Sequence, residues 1–449
     1  MKFELTKTFL EQIENAVEAQ NVQFIQDEIC PLHYADIAEI LDEVSLEEAQ
    51  FIYNNLDSEL ASEVLVEIDE DVRDRFLESL TNLEIASQVE MMDSDDAADL
   101  IQDLSEERKE EILSNVEDVE HSSDIAALLT YDEDSAGGLM TTEYICANIN
   151  WTVAQTLENL REQAREIDHV FTIYAIDDRE RLLGTLSLKT FLYADNQTLI
   201  KDLFAPDPIA VSTSDSDKEV AKLMEKYDLV VIPVINQAGV LMGRITIDDV
   251  VDVMREDAER EMQLATGVSE KIESRDSVWV ITRARLPWLL IGLFGGICGA
   301  MVIGGFEGQL SKFPQLAFFI PLIAAMGGNV GVQSSALIVQ GLANNSIKLE
   351  STWNKILKEV SVALVNAVVL SSLIFLYNFL TSEDYALCFT VSIALFAVII
   401  LAGILGSLVP MTLHKYKIDP ALATGPFITT LNDILGLLLY FSIGYAFYS

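Results

Sequence analysis

Basic side chains are scarce in this 449-residue chain, where 28 Lys and Arg stand against 72 Asp and Glu. The shortage lies ahead of residue 270: there 18 basic side chains face 63 acidic ones, whereas residues 271–449 hold 10 against 9. A body this poor in Lys and Arg has no cluster with which to neutralise phosphates, which excludes nucleic acid as a partner. Cysteine is equally thin. Cys30, Cys146, Cys298 and Cys388 include no CxxC pair, so neither a disulfide framework nor a zinc site is expected, and each reads as a small buried apolar residue. His33, His121, His169 and His414 fall into no metal or triad spacing, and no GxxxxGK[ST] loop is present, so an enzyme is not expected. The opening MKFELTKTFLEQIE alternates charge with apolar residues and lacks the apolar core of a signal peptide, which predicts a cytoplasmic acidic half.

What the second part does have is apolar length. Five stretches, 286–306, 316–343, 360–380, 386–413 and 420–447, can each cross about 30 Å of hydrocarbon. Arg275, Arg283 and Arg285 precede the first, Lys348, Lys355 and Lys358 separate the second and third, and Lys415 and Lys417 separate the fourth and fifth. Only Lys312 falls on the other side, so the charged loops face the cytoplasm with the acidic body, and an odd number of spans leaves Ser449 outside the plasma (inner) membrane.

Gly292 and Gly296, Gly295 and Gly299, and Gly304 and Gly308 repeat at four-residue spacing in the first span, a pattern that predicts close helix packing. Pro321, Gly327, Gly328, Asn329, Gly331 and Gln333 interrupt the second with helix-weakening and amide-bearing residues. Lipid satisfies neither freed backbone groups nor amides, so this face is expected in protein or along a wet permeation path, with Asn329 lining it.

Asp433 is the most informative single residue, because it lies inside the fifth span with apolar residues following for four turns. An ionised carboxylate is costly in hydrocarbon unless it meets water, a cation or a partner, and no span carries a Lys, Arg or His. A helix puts Gly425, Thr429 and Asp433 on one face, a strip suited to a hydrated cation. The alternative is an amide-bonded Asp that joins helices, with Asn329 or Asn432 as partner. Asp419 and Glu307 are the other acids near span ends. Carboxylate, hydroxyl and amide oxygens without thiolate or imidazole favour a hard cation, and a single carboxylate per chain suits magnesium, which keeps its waters, better than a calcium cage.

In the acidic half, Leu56, Leu80 and Leu104, Leu41, Leu65 and Val89, and Ser45, Asp69 and Asp93 recur about every 24 residues. The last set reads as N-caps, and the repeat predicts stacked helix pairs in a superhelix. Asp93, Asp95, Asp96 and Asp99 are its densest acid cluster. Farther on, HVFTIYAIDDRERLLGTLSL aligns without gaps on DLVVIPVINQAGVLMGRITI about 59 residues later, which predicts two β-α-β-type halves packed as a pseudo-twofold pair. The duplication resembles the tandem cystathionine-β-synthase (CBS) domain. That resemblance implies an adenine nucleotide such as ATP held by Gly243, Thr246 and Asp249; the matching Gly184, Ser187 and Thr190 lack the acid. The segment DDVVDVMREDAEREMQL then predicts an acidic helix leading into the first span.

The whole order resembles the MgtE family of magnesium channels and transporters, most closely in PLIAAMGGNVGVQSSALIVQGL, DPALATGPFITTLNDILGLLLYF and SAGGLMTTEY. The fold class so read is multidomain: an all-α superhelical N-domain over 1–130, an α/β tandem CBS domain over 136–205 and 206–247, a connecting helix over 248–270, and a five-span α-helical transmembrane domain over 271–449. The resemblance implies a homodimer in the lipid bilayer with a pore between the two membrane halves, where Asp433 holds hydrated Mg²⁺ and Gly425 and Thr429 flank it. It also implies sensor carboxylates that bind cytoplasmic Mg²⁺ and shut the pore, carried onto Asp95, Asp99, Asp249, Asp252 and Asp257. Two rival readings are a channel for manganese or cobalt and a membrane-anchored nucleotide or cation sensor that transports nothing.

Overall fold

The structure, a computed structural model, describes residues 3–163, 170–268, 272, 277–343, 352–423 and 425–448. Arg275, Lys348, His169 and Ser449, used above for orientation and spacing, lie outside the described residues. The chain forms two compact units, Met1–Met254 and Arg255–Ser449.

The first unit opens with α1 (Lys7–Glu18) and the short α2 (Val22–Phe24), which runs into a π-helical turn. Eight helices follow: α3 (Tyr34–Glu43), α4 (Leu46–Tyr53), α5 (Ser58–Glu67), α6 (Glu70–Ser79), α7 (Asn82–Val89), α8 (Ser94–Gln102), α9 (Glu106–Asn115) and α10 (Val119–Leu128). Their starts are set by short polar residues. Ser45 accepts from the Glu48 N–H while the Glu48 carboxylate accepts from the Ser45 N–H, a reciprocal cap that Thr81 and Glu84 repeat at α7. Ser45, Asp69 and Asp93 each stand just before a helix, α4, α6 and α8. Asp93 differs from the expected cap, since its side chain accepts nothing from the first turn and the Ser94 N–H is directed to Glu143 Oε2 instead. α3 packs on α5, α5 on α7 and α7 on α9, while α4 packs on α6 and α8 on α10, so like helices stack in two layers. Leu41, Leu65 and Val89 are fully buried between them.

Two small sheets follow. β1 (Cys146–Asn148) pairs parallel with β2 (Ile173–Ile176), which pairs antiparallel with β3 (Leu182–Leu186) and it with β4 (Ala205–Pro206). β5 (Val211–Ser212) pairs parallel with β6 (Val231–Ile235), and β6 antiparallel with β7 (Leu241–Thr246). α11 (Val153–Gln163), α12 (Leu188–Phe191) and α13 (Asp217–Tyr227) cross over between strands. The duplication extends to a register shift at Ala175/Ile176 that recurs at Val234/Ile235. Equivalent residues also meet each other: Arg181 bridges Val240, and the Leu182 and Leu241 N–H groups donate to the carbonyls of Gly239 and Glu180 at 3.0 Å each. Reciprocal pairing of this kind is what a local twofold requires.

α14 (Ile247–Thr266) begins in the first unit and ends in the second. Beyond it lie α15 (Val278–Gly305), α16 (Glu307–Lys312), a 3₁₀ turn, α17 (Ile320–Ala343), α18 (Thr352–Thr381), α19 (Tyr385–Lys415), a second 3₁₀ turn (Pro420–Ala423) and α20 (Gly425–Tyr448). Five of these elements are long and apolar enough to cross a membrane. α19 is the most enclosed, packing on α17, α18 and α20, with Val391, Leu395, Val398 and Ile399 in a core shared with Tyr440 and Phe441.

Three expectations are refined or corrected. α15 starts at Val278, capped by Ser277, so Arg283 and Arg285 lie in its first turns, ahead of the apolar stretch 286–306. α17 is continuous: Pro321 sits in its first turn, where no intrahelical N–H bond is lost, and Gly327, Gly328 and Gly331 are contact points within an unbroken helix. Of the glycine pairs in the first span, Gly295 and Gly299 abut Thr430 and Leu437 of α20, whereas a Cβ at Gly292, Gly296, Gly304 or Gly308 would meet nothing within 4 Å.

Candidate ion site and acidic cluster

Asp433 lies on α20 one turn beyond Thr429, and both face α17. Between the two helices is a cavity of about 340 Å³ lined by Gly328, Asn329 and Gln333 of α17 and by Thr429 and Asp433, with Ala324, Ala325 and Val332 completing its wall. Gly328 lets the backbones close in, since a Cβ there would stand 3.1 Å from Thr429 Cγ2 and 3.9 Å from Asp433 Oδ1. The Thr429 hydroxyl donates to the Gly425 carbonyl at 2.9 Å, which turns its oxygen's remaining acceptor capacity to the cavity. No described residue donates a hydrogen bond to the Asp433 carboxylate, and Asn432, the proposed amide partner, is buried with its own amide unpartnered. An aspartate so placed offers its charge to whatever occupies the cavity.

Gly425 does not line the cavity. It opens α20 with φ 54°, a left-handed conformation that glycine adopts without strain. Gln333, on the span face expected along a wet path, lines it together with Asn329. Its four-residue spacing from Asn329 is the signal that places both amides on one helical face.

In the first unit, α8 and the start of α14 bring acids together. Asp95 and Asp96 lie in the first turn of α8 and Asp249 in the first turn of α14. Burial first, then the charges of Asp96 and Asp249, hold the Asp95 carboxyl well above its usual range. Burial and then the Asp249 and Asp93 charges push Asp96 up to about 7. Asp249 rises to about 6 through burial, opposed by its hydrogen bonds from Thr246, with Asp248 and Asp252 adding to the rise. Asp95 Oδ1 is sealed from solvent without a hydrogen bond. Crowded carboxylates of this sort must take up either protons or a cation. Asp99 and Asp252 stand exposed at the cluster's edge, each adding charge to one member, while Asp257 belongs to the second unit. Asp96 belongs to this cluster although it is not among the carboxylates the family resemblance implies, and the Asp93, Asp96, Asp99 spacing of three puts all on one face. Among the described residues no three acids, His or Cys already stand in metal-holding geometry.

The residues matched to a nucleotide motif have structural work. A Cβ on Gly243 would lie 2.5 Å from the Thr141 carbonyl, where residues 141 and 244 bridge. The Thr246 hydroxyl and N–H both donate to Asp249 Oδ2, at 2.8 and 3.1 Å, so Asp249 also fastens the β7–α14 junction.

Comparison with known proteins adds the wider relationship. Residues 320–443 match the MgtE family described as a divalent cation transporter, 32–134 the MgtE intracellular N domain, and 136–196 and 200–256 the CBS domain. The magnesium transporter MgtE of Bacillus subtilis is 33% identical across 74% of this chain and 73% of its own length. That of Thermus thermophilus is 34% identical across 72% of each. A crystal structure of the cytosolic domain of the Mg²⁺ channel MgtE in complex with ATP is 28% identical, with a TM-score of 0.49, covering 54% of this chain and 99% of that one. With its repeat, its paired sheets and its five apolar helices in this order, the chain belongs to the MgtE family of magnesium transporters.

Proposed function

We propose that this chain is a passive Mg²⁺ channel for uptake across the plasma membrane, closed by cytoplasmic Mg²⁺ bound among its acidic domains. The observation that carries it is Asp433 facing a cavity with Thr429, Asn329 and Gln333 and no cationic partner among the described residues. At roughly 30 Å³ per water, an ion with six waters needs about 180 Å³, well within this space. Carboxylate, hydroxyl and amide oxygens then hold the hydration shell rather than the bare ion. In this reading two copies pair so that both Asp433 side chains share the path, the N-terminus is cytoplasmic and the C-terminus outside.

The gate follows from the acid cluster. Cations drawn to Asp95, Asp96, Asp99, Asp249 and Asp252 cancel repulsion between α8 and the start of α14, and α14 carries the change toward the membrane half, with Asp257 farther along it. Without the cation the carboxylates push α8 and α14 apart. An adenine nucleotide such as ATP at Gly243, Thr246 and Asp249 would compete for Asp249, which ties nucleotide to the same gate. The five segments 1–130, 136–205, 206–247, 248–270 and 271–449 act as sensor, paired scaffold, connector and channel.

Ion entry into liposomes containing the purified full chain tests this reading. Magnesium flux is expected for the wild type and its loss for Asp433→Ala at an unchanged fold. Manganese entry without magnesium entry, or full flux in the variant, would overturn it.

A further inference from the structure

Asp433 has a neighbour that plays no part in the cavity. Asn432 is 2% exposed, turned away from Asp433 into the seam between α17 and α20, and neither its Nδ2 nor its Oδ1 has a hydrogen-bond partner among the described residues. We infer that Asn432 and Gly331 form a rotational pin that aims Asp433 at the cavity, which makes Gly331 a positioning residue for ion passage. This rests on the reading of Asp433 given above.

The fit at Gly331 has no slack. A Cβ there would stand 1.9 Å from Asn432 Nδ2, 3.1 Å from Asn432 Cγ and 3.5 Å from Ile428 Cγ1. Contacts shorter than 3 Å are not met by side-chain Cβ atoms, so a methyl at 331 must push the Asn432 amide aside, and because that amide is buried the push passes on to α20. α17 is also held closely by α19. The added Cβ of Gly406 on α19 would be 2.5 Å from the Gly331 carbonyl oxygen and 3.2 Å from Gly331 Cα. One turn earlier, Gly327 is similarly close to α19, its added Cβ 3.1 Å from Val398 Cγ1. α17 thus packs closely on both α19 and the Asn432 amide, and the strain of an added methyl falls on the contact with α20. Because Asp433 is the next residue, any turn or outward shift of α20 at position 432 carries the carboxylate with it. A buried amide without a partner is itself destabilising, so it persists only where neighbouring packing fixes it.

The pair predicts compensation, which a packing defect alone does not. Magnesium entry is measured in liposomes for the full-length wild type, Gly331→Ala, Asn432→Ala and the double variant, at matched amounts of folded protein. Gly331→Ala is expected to lower flux by about tenfold or more and to raise the half-saturating Mg²⁺ concentration, as a displaced ligand does. The double variant, in which the added methyl takes space left by the amide, is expected to return to within about threefold of Asn432→Ala. Wild-type flux from Gly331→Ala, or a double variant no better than Gly331→Ala, overturns the pin. Should Gly331→Ala fail to fold, the double variant decides alone: conducting, it supports the pin; silent or unfolded, it overturns it. Absent wild-type flux, or intact flux in Asp433→Ala, would instead sink the functional reading on which the pin rests.

Discussion

Ser94 of the helical repeat donates its hydroxyl to Glu143 Oε2 at 2.8 Å, joining α8 to the segment that leads into the first sheet. The same oxygen accepts from the Ser94 N–H and from the Thr141 hydroxyl, and Ser94 is fully buried. Glu143→Ala should therefore strand several buried donors at once, at a cost of about 1–3 kcal/mol. The expected outcome is a lower denaturant midpoint for the soluble body and faster proteolysis between α10 and β1. An unchanged midpoint would show that the tie is dispensable.

The acid cluster gives a pH dependence whose sign can be worked out. Asp96 and Asp249 move from an ordinary 3.8 to about 7 and about 6 in the folded chain, so folding takes up protons between these limits. Their stabilisation is complete below the unfolded value and is lost as pH rises through the folded values. In chelator, the thermal midpoint of the soluble body should fall between about pH 4 and pH 7, and added Mg²⁺ should flatten the slope by replacing protons. A midpoint that rises over this range would contradict the clustering.

Removing the charges should imitate the cation. With Asp95→Asn and Asp96→Asn combined, α8 no longer repels Asp249, so the soluble body should resist protease without Mg²⁺ and the channel should conduct less at low cytoplasmic Mg²⁺. Protection that still needs the full Mg²⁺ concentration would place the sensor elsewhere.

Gly425 turns the chain into α20 at φ 54°. Ala in this conformation costs about 1–2 kcal/mol, so Gly425→Ala should lower the melting temperature in detergent. Since Thr429 donates to the Gly425 carbonyl, magnesium flux should fall as well. Equal melting and flux would mean the turn tolerates a side chain.

The duplications were legible because each copy repeats its own spacing: Ser45, Asp69 and Asp93 precede equivalent helices, and the strand register slips at Ala175/Ile176 and again at Val234/Ile235. The membrane helices were legible by length, but the start of α15 was not, because charged Arg283 and Arg285 read as a boundary and are in fact turns of the helix. Gly327 and Gly331 looked like breaks in α17, since glycine weakens isolated helices; here they are where Val398 and Asn432 approach, and packing overrides propensity. Asp433 could be singled out from its apolar surroundings alone. The seat of Asn432 against Gly331 could not, because it depends on how three helices are rotated about one another.

The pairing of Asn432 and Asp433 has a consequence for biogenesis. The last span has the lowest mean hydropathy of the five and carries an amide beside a carboxylate, so by itself it partitions poorly from the translocon into lipid. Synthesis delivers it after α15 and α17, the helices whose Gly295, Gly299, Gly328 and Gly331 make the slot it fills. Its entry into the bilayer is thereby coupled to completion of its predecessors, and a chain in which that slot is obstructed should stall with its C-terminal segment uninserted and exposed to quality-control proteases.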